Sequence, residues 1–357
     1  MDDQQGQKHT ISSRLITAMI ALTICTLLTA CTTPTFASGG NATCQSNCTL
    51  GAGVQGVRVF VEPEAGNQII IDAITNAQRS IWIELYLLTD HKIINALESA
   101  AQQGLDVRVM LEVHPYGSSS SSPTQMLDRL RAAGVHAQAT NPNFALTHEK
   151  GMVIDGNTAY IMTANFTLSA LGGSSSVTNR EYGIIDANQQ DVQAVTAIFN
   201  ADWNRTSPQF DDPNLVVSPI NSRNDFTSLI NHAHTALLIE AEEMQDHGIE
   251  QALINAATRG VRVQVILPSP SNASSDSNRS GINIISQAGI QIKEDAHFYM
   301  HAKMIIADGQ TAFIGSENIS TASLEQNREL GILVSEPNVL TTLQQTFQQD
   351  WGDSQNV

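Results

Sequence analysis

Charge is scarce in this chain, and positive charge scarcest. Asp, Glu, Lys and Arg make up 15% of its 357 residues, with 18 Lys and Arg against 35 Asp and Glu. The formal net charge of −17 argues against a broad nucleic-acid-binding face, because phosphate backbones are held by clustered Lys and Arg. A small local anion site stays compatible with it. Cysteine is also rare: there are four, none near a histidine pair, so no metal site is expected from their spacing. No apolar run is long enough for an ordinary membrane-spanning helix; the uncharged stretch Leu15 to Ala30 is short and carries several Thr. The apolar share, 41%, suffices for a sizeable core.

The first 30 residues have the layout of an export signal. Lys8, His9 and Arg14 precede the uncharged stretch, which ends in small residues at "LTAC", Leu28 to Cys31. Small residues directly before a cysteine resemble a bacterial lipobox, with Cys31 as the lipidated first residue of the mature chain. The expected location is outside the cytoplasm, anchored by lipid to the cell membrane, or secreted if Cys31 is unmodified. Residues 31–54, rich in Thr, Ser, Gly and Asn, read as a tether. Cys44 and Cys48 within it are either joined by a disulfide or two linker thiols.

The remainder repeats itself. "IWIELYL" at Ile81 recurs as "LLIEAEE" at Leu237, "GLDVRVML" at Gly104 as "GVRVQVIL" at Gly260, and "NREYGII" at Asn179 as "NRELGIL" at Asn327. The two copies close on "FNADW" at Phe199 and "FQQDW" at Phe347. The order is conserved and the offset stays at roughly 150 residues, so the chain is two copies of one unit, 55–208 and 209–357. Each unit alternates β-branched strand runs with helical spacing; in "HKIINALESAAQQG", Ile93, Ile94, Leu97 and Ala101 share a face and Gly104 ends the helix. That alternation predicts an α/β fold with helices over a sheet. Asp155-Gly156-Asn157 and Asp308-Gly309-Gln310 read as hairpin turns, so the sheets should be mixed. Two Ser-rich stretches, Tyr116 to Pro123 and Ser269 to Ser280, read as solvated loops.

The chemistry lies in "HEKGMVIDGNTAYIMTAN", His148 to Asn165, and "HAKMIIADGQTAFIGSEN", His301 to Asn318. Residues two apart on a strand share a face, so His148 joins Lys150, and His301 joins Lys303. The returning strand brings Thr163 and Asn165, or Ser316 and Asn318. Facing each other, the two units gather two imidazoles, two ammonium groups and several neutral donors, an inventory suited to a phosphodiester. One neutral histidine can attack phosphorus while the other, protonated, serves the leaving alcohol and then activates the acceptor. Lysines and amides meet the growing charge. Neither metal nor cofactor is needed. Glu181 and Glu329, in the two "NRE" strings, are candidates to orient the histidines through their other ring nitrogen. Glu84 and Glu240 read as buried structural carboxylates, and His114 and His297 as ordinary loop residues.

The doubled pattern His-x-Lys-x4-Asp-x6-Gly-Ser-x-Asn resembles the phospholipase D superfamily. The second copy fits throughout, with His301, Lys303, Asp308, Gly315, Ser316 and Asn318; the first has Met162 for Gly and Thr163 for Ser. The resemblance implies two α-β-α sandwich domains related by a pseudo-twofold, with the active site between them. It also implies His148 as nucleophile, His301 as general acid/base, structural roles for Asp155 and Asp308, and Thr163 and Ser316 beside the substrate. Export and acidity favour phospholipid as substrate, with hydrolysis or phosphatidyl transfer as the reaction. An endonuclease, a cardiolipin-synthase-like transferase and a non-catalytic anion-binding lipoprotein are the alternatives. With both motifs in one chain, a monomer is expected.

Overall fold

In the computed structural model the described residues are 50–116, 121–272 and 276–357. Cys31, Cys44, Cys48, the expected export signal and the middles of both Ser-rich stretches lie outside them. Of the expected tether, residues 50–54 fall inside, and they are docked: Val54 is buried, donates its N–H to Leu333 O and accepts from Ser335 N–H.

Two mixed sheets repeat one topology. The first half contributes β1 (Arg58–Glu62), β2 (Ser80–Leu85), β3 (Asp106–Leu111), β4 (His136–Ala139), β5 (Lys150–Ile154), β6 (Thr158–Met162) and β7 (Asn179–Asp186), in the order β1-β7-β6-β5-β2-β3-β4. The second contributes β8 (Leu215–Ser218), β9 (Ala236–Ala241), the short β10 (Met244–Gln245), β11 (Arg262–Pro268), β12 (Gln291–Asp295), β13 (Tyr299–Met300), β14 (Lys303–Ala307), β15 (Thr311–Gly315), β16 (Ile319–Ser320), β17 (Glu329–Val334) and β18 (Gln355–Asn356). Its main sheet runs β8-β17-β15-β14-β9-β11-β12-β18, the same order with one strand added. Strands β2, β3 and β4 are parallel, joined by helical crossovers, whereas β5, β6, β7 and β1 are antiparallel.

Helices α1 (Gln68–Thr75), α2 (His91–Gln102) and α3 (Ser121–Ala132) belong to the first half, which α4 (Gln189–Trp203) closes. The second half has α5 (Ser222–His232), α6 (His247–Thr258), α7 (Arg279–Ser286), the short α8 (Thr321–Glu325) and the closing α9 (Pro337–Asp353). Local chemistry explains their ends. Asp90 caps α2 through the N–H groups of Lys92 and Ile93, and Asp246 caps α6 through Gly248 and Ile249. Gly104 and Gly260 follow at φ +91° and +92°, a region open to glycine. The buried face of α2 is Ile93, Ile94, Leu97 and Ala100; Ala101 is only partly buried against the core.

Three cores result. One lies between the first sheet and α1–α3, and one between the second sheet and its outer helices. The third joins the halves: Ile161, Ile184, Ile306, Ile314 and Ile332 from the two sheets meet Ile198 of α4 and Phe347 of α9. Each sheet is thus flanked by helices as expected, but the halves share an inner core and form one compact body from residue 50 onward.

Candidate active site

The strand after each histidine motif runs back beside the other half. Tyr299 and Met300 of β13 pair with Asn179 and Arg180 of β7, and Thr147 bridges to Arg328, while His148 N–H donates to Arg328 O. That crossing sets every role in the two "NRE" strings. Arg180 forms a two-pronged ion pair with Asp350 of α9, 2.6 Å and 2.9 Å, and Arg328 reaches Asp202 of α4 at 2.8 Å. These aspartates are the acids of "FQQDW" and "FNADW", so those strings exist to anchor the opposite half's arginine. Phe298 and Phe144 lie under the guanidinium groups at 4.4 Å and 4.2 Å.

The glutamates cross over as well. Glu181 lies 2.8 Å from Nδ1 of His301, and Glu329 lies 3.0 Å from Nδ1 of His148. Each histidine is therefore oriented by the other half, with Nε2 left for chemistry. The glutamates are themselves held: Asn179 and Thr163 donate to Glu181 at 2.9 Å and 2.6 Å, and Asn327 and Ser323 to Glu329 at 3.3 Å and 2.6 Å.

Thr163 and Ser316 do not face a substrate. Both are fully buried; the hydroxyl of Thr163 is spent on Glu181, and the Oγ of Ser316 accepts from Leu330 N–H. Ala170 stands in the first copy where Ser323 stands in the second, so Thr163 supplies the hydroxyl that Glu181 would otherwise lack. Met162 is buried in the first outer core; at its counterpart Gly315 an added Cβ would meet the backbone of Gly331 and the carboxylate of Glu317, and only the latter is absent from the first copy, where Ala164 stands. Asp155 and Asp308 sit at the hairpin turns with φ 56°, away from the imidazoles. Their carboxylates bind the N–H groups of residues 78–80 and 234–236, fastening each hairpin to the start of β2 or β9.

Lys150 and Lys303 each donate to the carbonyl of the preceding histidine. Burial pushes Lys150 down to about 7. His148 is lowered too, by burial first and then by the charge of Lys150. Asn165 and Asn318 are more than nine-tenths buried, and the Oδ1 of each has no partner among the described residues. Asn165 shares an open recess with His301, Tyr299 and Asn179.

Sequence reasoning missed Glu242, directly after β9. Its Oε2 accepts from Lys303 Nζ at 2.8 Å and Asn318 Nδ2 at 3.3 Å and lies 3.4 Å from His301 Nε2; Tyr299 OH donates to Oε1 at 3.0 Å. Burial works to raise this carboxyl, but the charges of His301, Lys303 and, further off, His148 hold it well below its ordinary value. The carboxylate of Glu242 thus feels the charge of both imidazoles, His301 in contact and His148 at longer range. The repeat offered the signal: Glu242 aligns with Tyr86, whose ring meets His148 edge-on at 4.7 Å.

The sequence shows no carboxylate cluster, yet the fold assembles one beneath the site. Glu84, Glu149 and Asp202 bring buried oxygens within 4.8 Å of one another, and neither oxygen of Glu84 has a hydrogen-bond partner among the described residues. Burial and mutual repulsion raise Glu149 to about 8 and Glu84 well above its ordinary value. In the second half Tyr182 donates to Glu240, counterpart of Glu84, and Ala302 replaces Glu149. His114 and His297 are exposed loop residues.

Fold and site together define a duplicated histidine–lysine centre completed across two halves of one chain. The family model described as "Cardiolipin synthase, PLD-like domain" matches residues 70–203 and 226–351, and the chain belongs to this phospholipase D-like family. It is 25% identical to a cardiolipin synthase of Oceanobacillus iheyensis over 83% of this chain and 68% of that protein. It is also 25% identical to cardiolipin synthase 1 of Staphylococcus epidermidis, over 82% and 67%. Its fold resembles the phosphatidylserine synthase of Haemophilus influenzae, TM-score 0.66 at 13% identity over 85% of this chain and 88% of that one. The polyphosphate kinase of Porphyromonas gingivalis superposes with the same TM-score at 17% identity, over 84% and 48%.

Proposed function

We propose that the protein is a phosphatidyltransferase acting on phospholipid through a phosphohistidine. The observation that carries the chemistry is the crossed clamp: both imidazoles are fixed through Nδ1 by opposite halves, leaving two Nε2 atoms for one phosphorus. In the first step the Nε2 lone pair of His148 attacks phosphorus. The bond from phosphorus to the leaving oxygen breaks, and that oxygen takes the proton from His301 Nε2. Lys150, Lys303, Asn165 and Asn318 hold the non-bridging oxygens. In the second step an acceptor hydroxyl gives its proton to His301 as its oxygen attacks phosphorus, and the N–P bond breaks to restore His148.

The acceptor decides between transfer and hydrolysis. The relatives named cardiolipin synthase favour an alcohol over water, which shifts the weight from the hydrolysis first expected. An apolar recess lined by Tyr86, Leu87, Leu88, Leu111 and Met126 adjoins His148 through Tyr86 and suits acyl chains. The export signal and a lipid anchor at Cys31 extend the reading, since they would keep the enzyme beside its substrate. One chain supplies both histidines, so a monomer suffices.

Incubation of the purified chain with phosphatidylglycerol vesicles, with and without EDTA, tests this. The expected products are cardiolipin and glycerol, with phosphatidic acid as the minor product of water attack. Nicked plasmid DNA in a parallel incubation, with lipid untouched, would replace the reading with an endonuclease. Phosphatidic acid alone, at every phosphatidylglycerol concentration, would make the enzyme a hydrolase.

A further inference from the structure

The two halves offer nearly the same groups to phosphorus: Lys150 and Lys303, Asn165 and Asn318, Glu329 and Glu181. Attack nevertheless needs two different histidines, one with a free lone pair and one carrying a proton. Some residue must break the symmetry, and one pair of aligned positions in the site does so. One residue beyond β2 stands Tyr86; one residue beyond β9 stands Glu242.

The surroundings of the imidazoles diverge accordingly. His301 has a carboxylate at each ring nitrogen, Glu181 from β7 at 2.8 Å and Glu242 at 3.4 Å. Lys303 of β14 opposes them, with Nζ 3.2 Å from Nδ1, but that ammonium is itself paired to Glu242 at 2.8 Å. Tyr299 of β13, a neutral ring centred 6.1 Å away, completes the shell. His148 has one carboxylate in contact, Glu329 of β17, with Glu242 acting on it only from further off; Lys150 of β5 lies beside it, and Lys303 adds like charge. Its other near neighbour is the ring of Tyr86, which also lies 5.3 Å beneath Lys150 Nζ.

We infer that Glu242 is the positioning residue that assigns the two roles, holding His301 as the imidazolium that protonates the leaving alcohol while His148 stays neutral and nucleophilic. The inference rests on the phosphodiester reading of this site. An anion placed at the donor nitrogen favours the protonated ring; an aromatic face and a neighbouring ammonium in a buried setting favour the neutral one. Glu242 also explains how two lysines and an imidazolium coexist in a buried cleft, because its carboxylate neutralises the second half's share until a phosphodiester takes its place.

The test is a histidine NMR titration of the full chain, with His301 assigned by His301→Asn, in the wild type, Glu242→Gln, Glu242→Asp and the control Glu243→Gln. The His301 pKa should fall by about 1 unit or more in Glu242→Gln, return towards the wild-type value in Glu242→Asp and stay put in Glu243→Gln. The alkaline limb of kcat/KM for phosphatidylglycerol should move down with it. A second substrate guards against loss of fold: a phosphodiester with p-nitrophenolate as leaving group needs no acid. Glu242→Gln should therefore keep most of its turnover of that substrate while losing roughly 10–100-fold on the lipid. An unmoved His301 in Glu242→Gln, with wild-type enzyme active on lipid, overturns the inference and leaves the phosphodiester reading standing. Equal losses on both substrates overturn it as well. Wild-type protein that turns over neither substrate removes the reading and the inference together.

Discussion

His148 of the first half and Glu329 of the second lie 3.0 Å apart, Nδ1 to Oε2, although 181 residues separate them in sequence. The mirror pair, Glu181 and His301, repeats the contact with the halves exchanged. Each half clamps the other's histidine, so both contacts exist only with the halves docked.

The crossed clamp predicts crossed phenotypes. Glu329→Gln should slow formation of the covalent phosphoenzyme, because it loosens the nucleophile; Glu181→Gln should act on protonation of the alcohol. Each should cost roughly 10–100-fold in kcat, the usual effect of losing a ligand's orienting partner. Rapid-quench measurement of the phosphoenzyme burst with p-nitrophenolate as leaving group, which needs no acid, separates them: the burst rate falls in Glu329→Gln and holds in Glu181→Gln. A loss of burst confined to Glu181→Gln would mean that the roles of the halves are reversed.

The arginine struts carry the docking. Arg328 is buried and serves Asp202 and the carbonyl of Ser218 together. Arg328→Leu leaves Asp202 uncompensated in the interior, which costs about 3–5 kcal/mol. Urea denaturation should show that loss as a fall in midpoint. Asp202→Asn in the same chain should recover part of it, because a neutral amide needs no counter-charge.

Much of this was legible in the sequence. The repeat, the mixed sheets, the two His-Lys pairs and the turns at Asp155 and Asp308 follow from short-range patterns, which periodicity and turn chemistry encode directly. The crossing was not legible, because "NRE" reads the same whether its glutamate serves its own half or the other. The roles of Thr163 and Ser316 went astray for a related reason: alternation along β6 and β15 places them near the motif but does not reveal that their hydroxyls are consumed inside it. Glu242 hid among four acidic residues, Glu240, Glu242, Glu243 and Asp246, only one of which reaches the imidazole.

Glu149 should make stability fall with rising pH. Its folded value, about 8, lies above the ordinary 4.5, so the protonated fold is favoured below pH 4.5 and that advantage drains away as pH climbs through 8. Glu149→Ala, which copies Ala302 of the second half, removes the drain. Thermal melts should show the variant gaining on the wild type between pH 5 and pH 9. A constant difference across that range would rule out titration of this cluster as the cause.

Lys150 predicts how anion binding responds to pH. Pushed down to about 7 by burial, it is charged below neutrality and neutral above, so affinity for a phosphate analogue such as tungstate should weaken as pH rises from 6 to 8. Lys150→Arg keeps its charge throughout and should flatten the curve. Calorimetric titration at three pH values reads the slope; the same slope in both proteins would assign it to another group.

The central claim is that two imidazoles from different halves serve one phosphorus, and trapping the intermediate tests it most directly. Mass spectrometry of His301→Asn, quenched during turnover of a phosphodiester with p-nitrophenolate as leaving group, should find the adduct on His148, and His148→Asn should carry none. An adduct on His301 in the latter protein, or turnover in both single variants at the wild-type rate, would contradict the account.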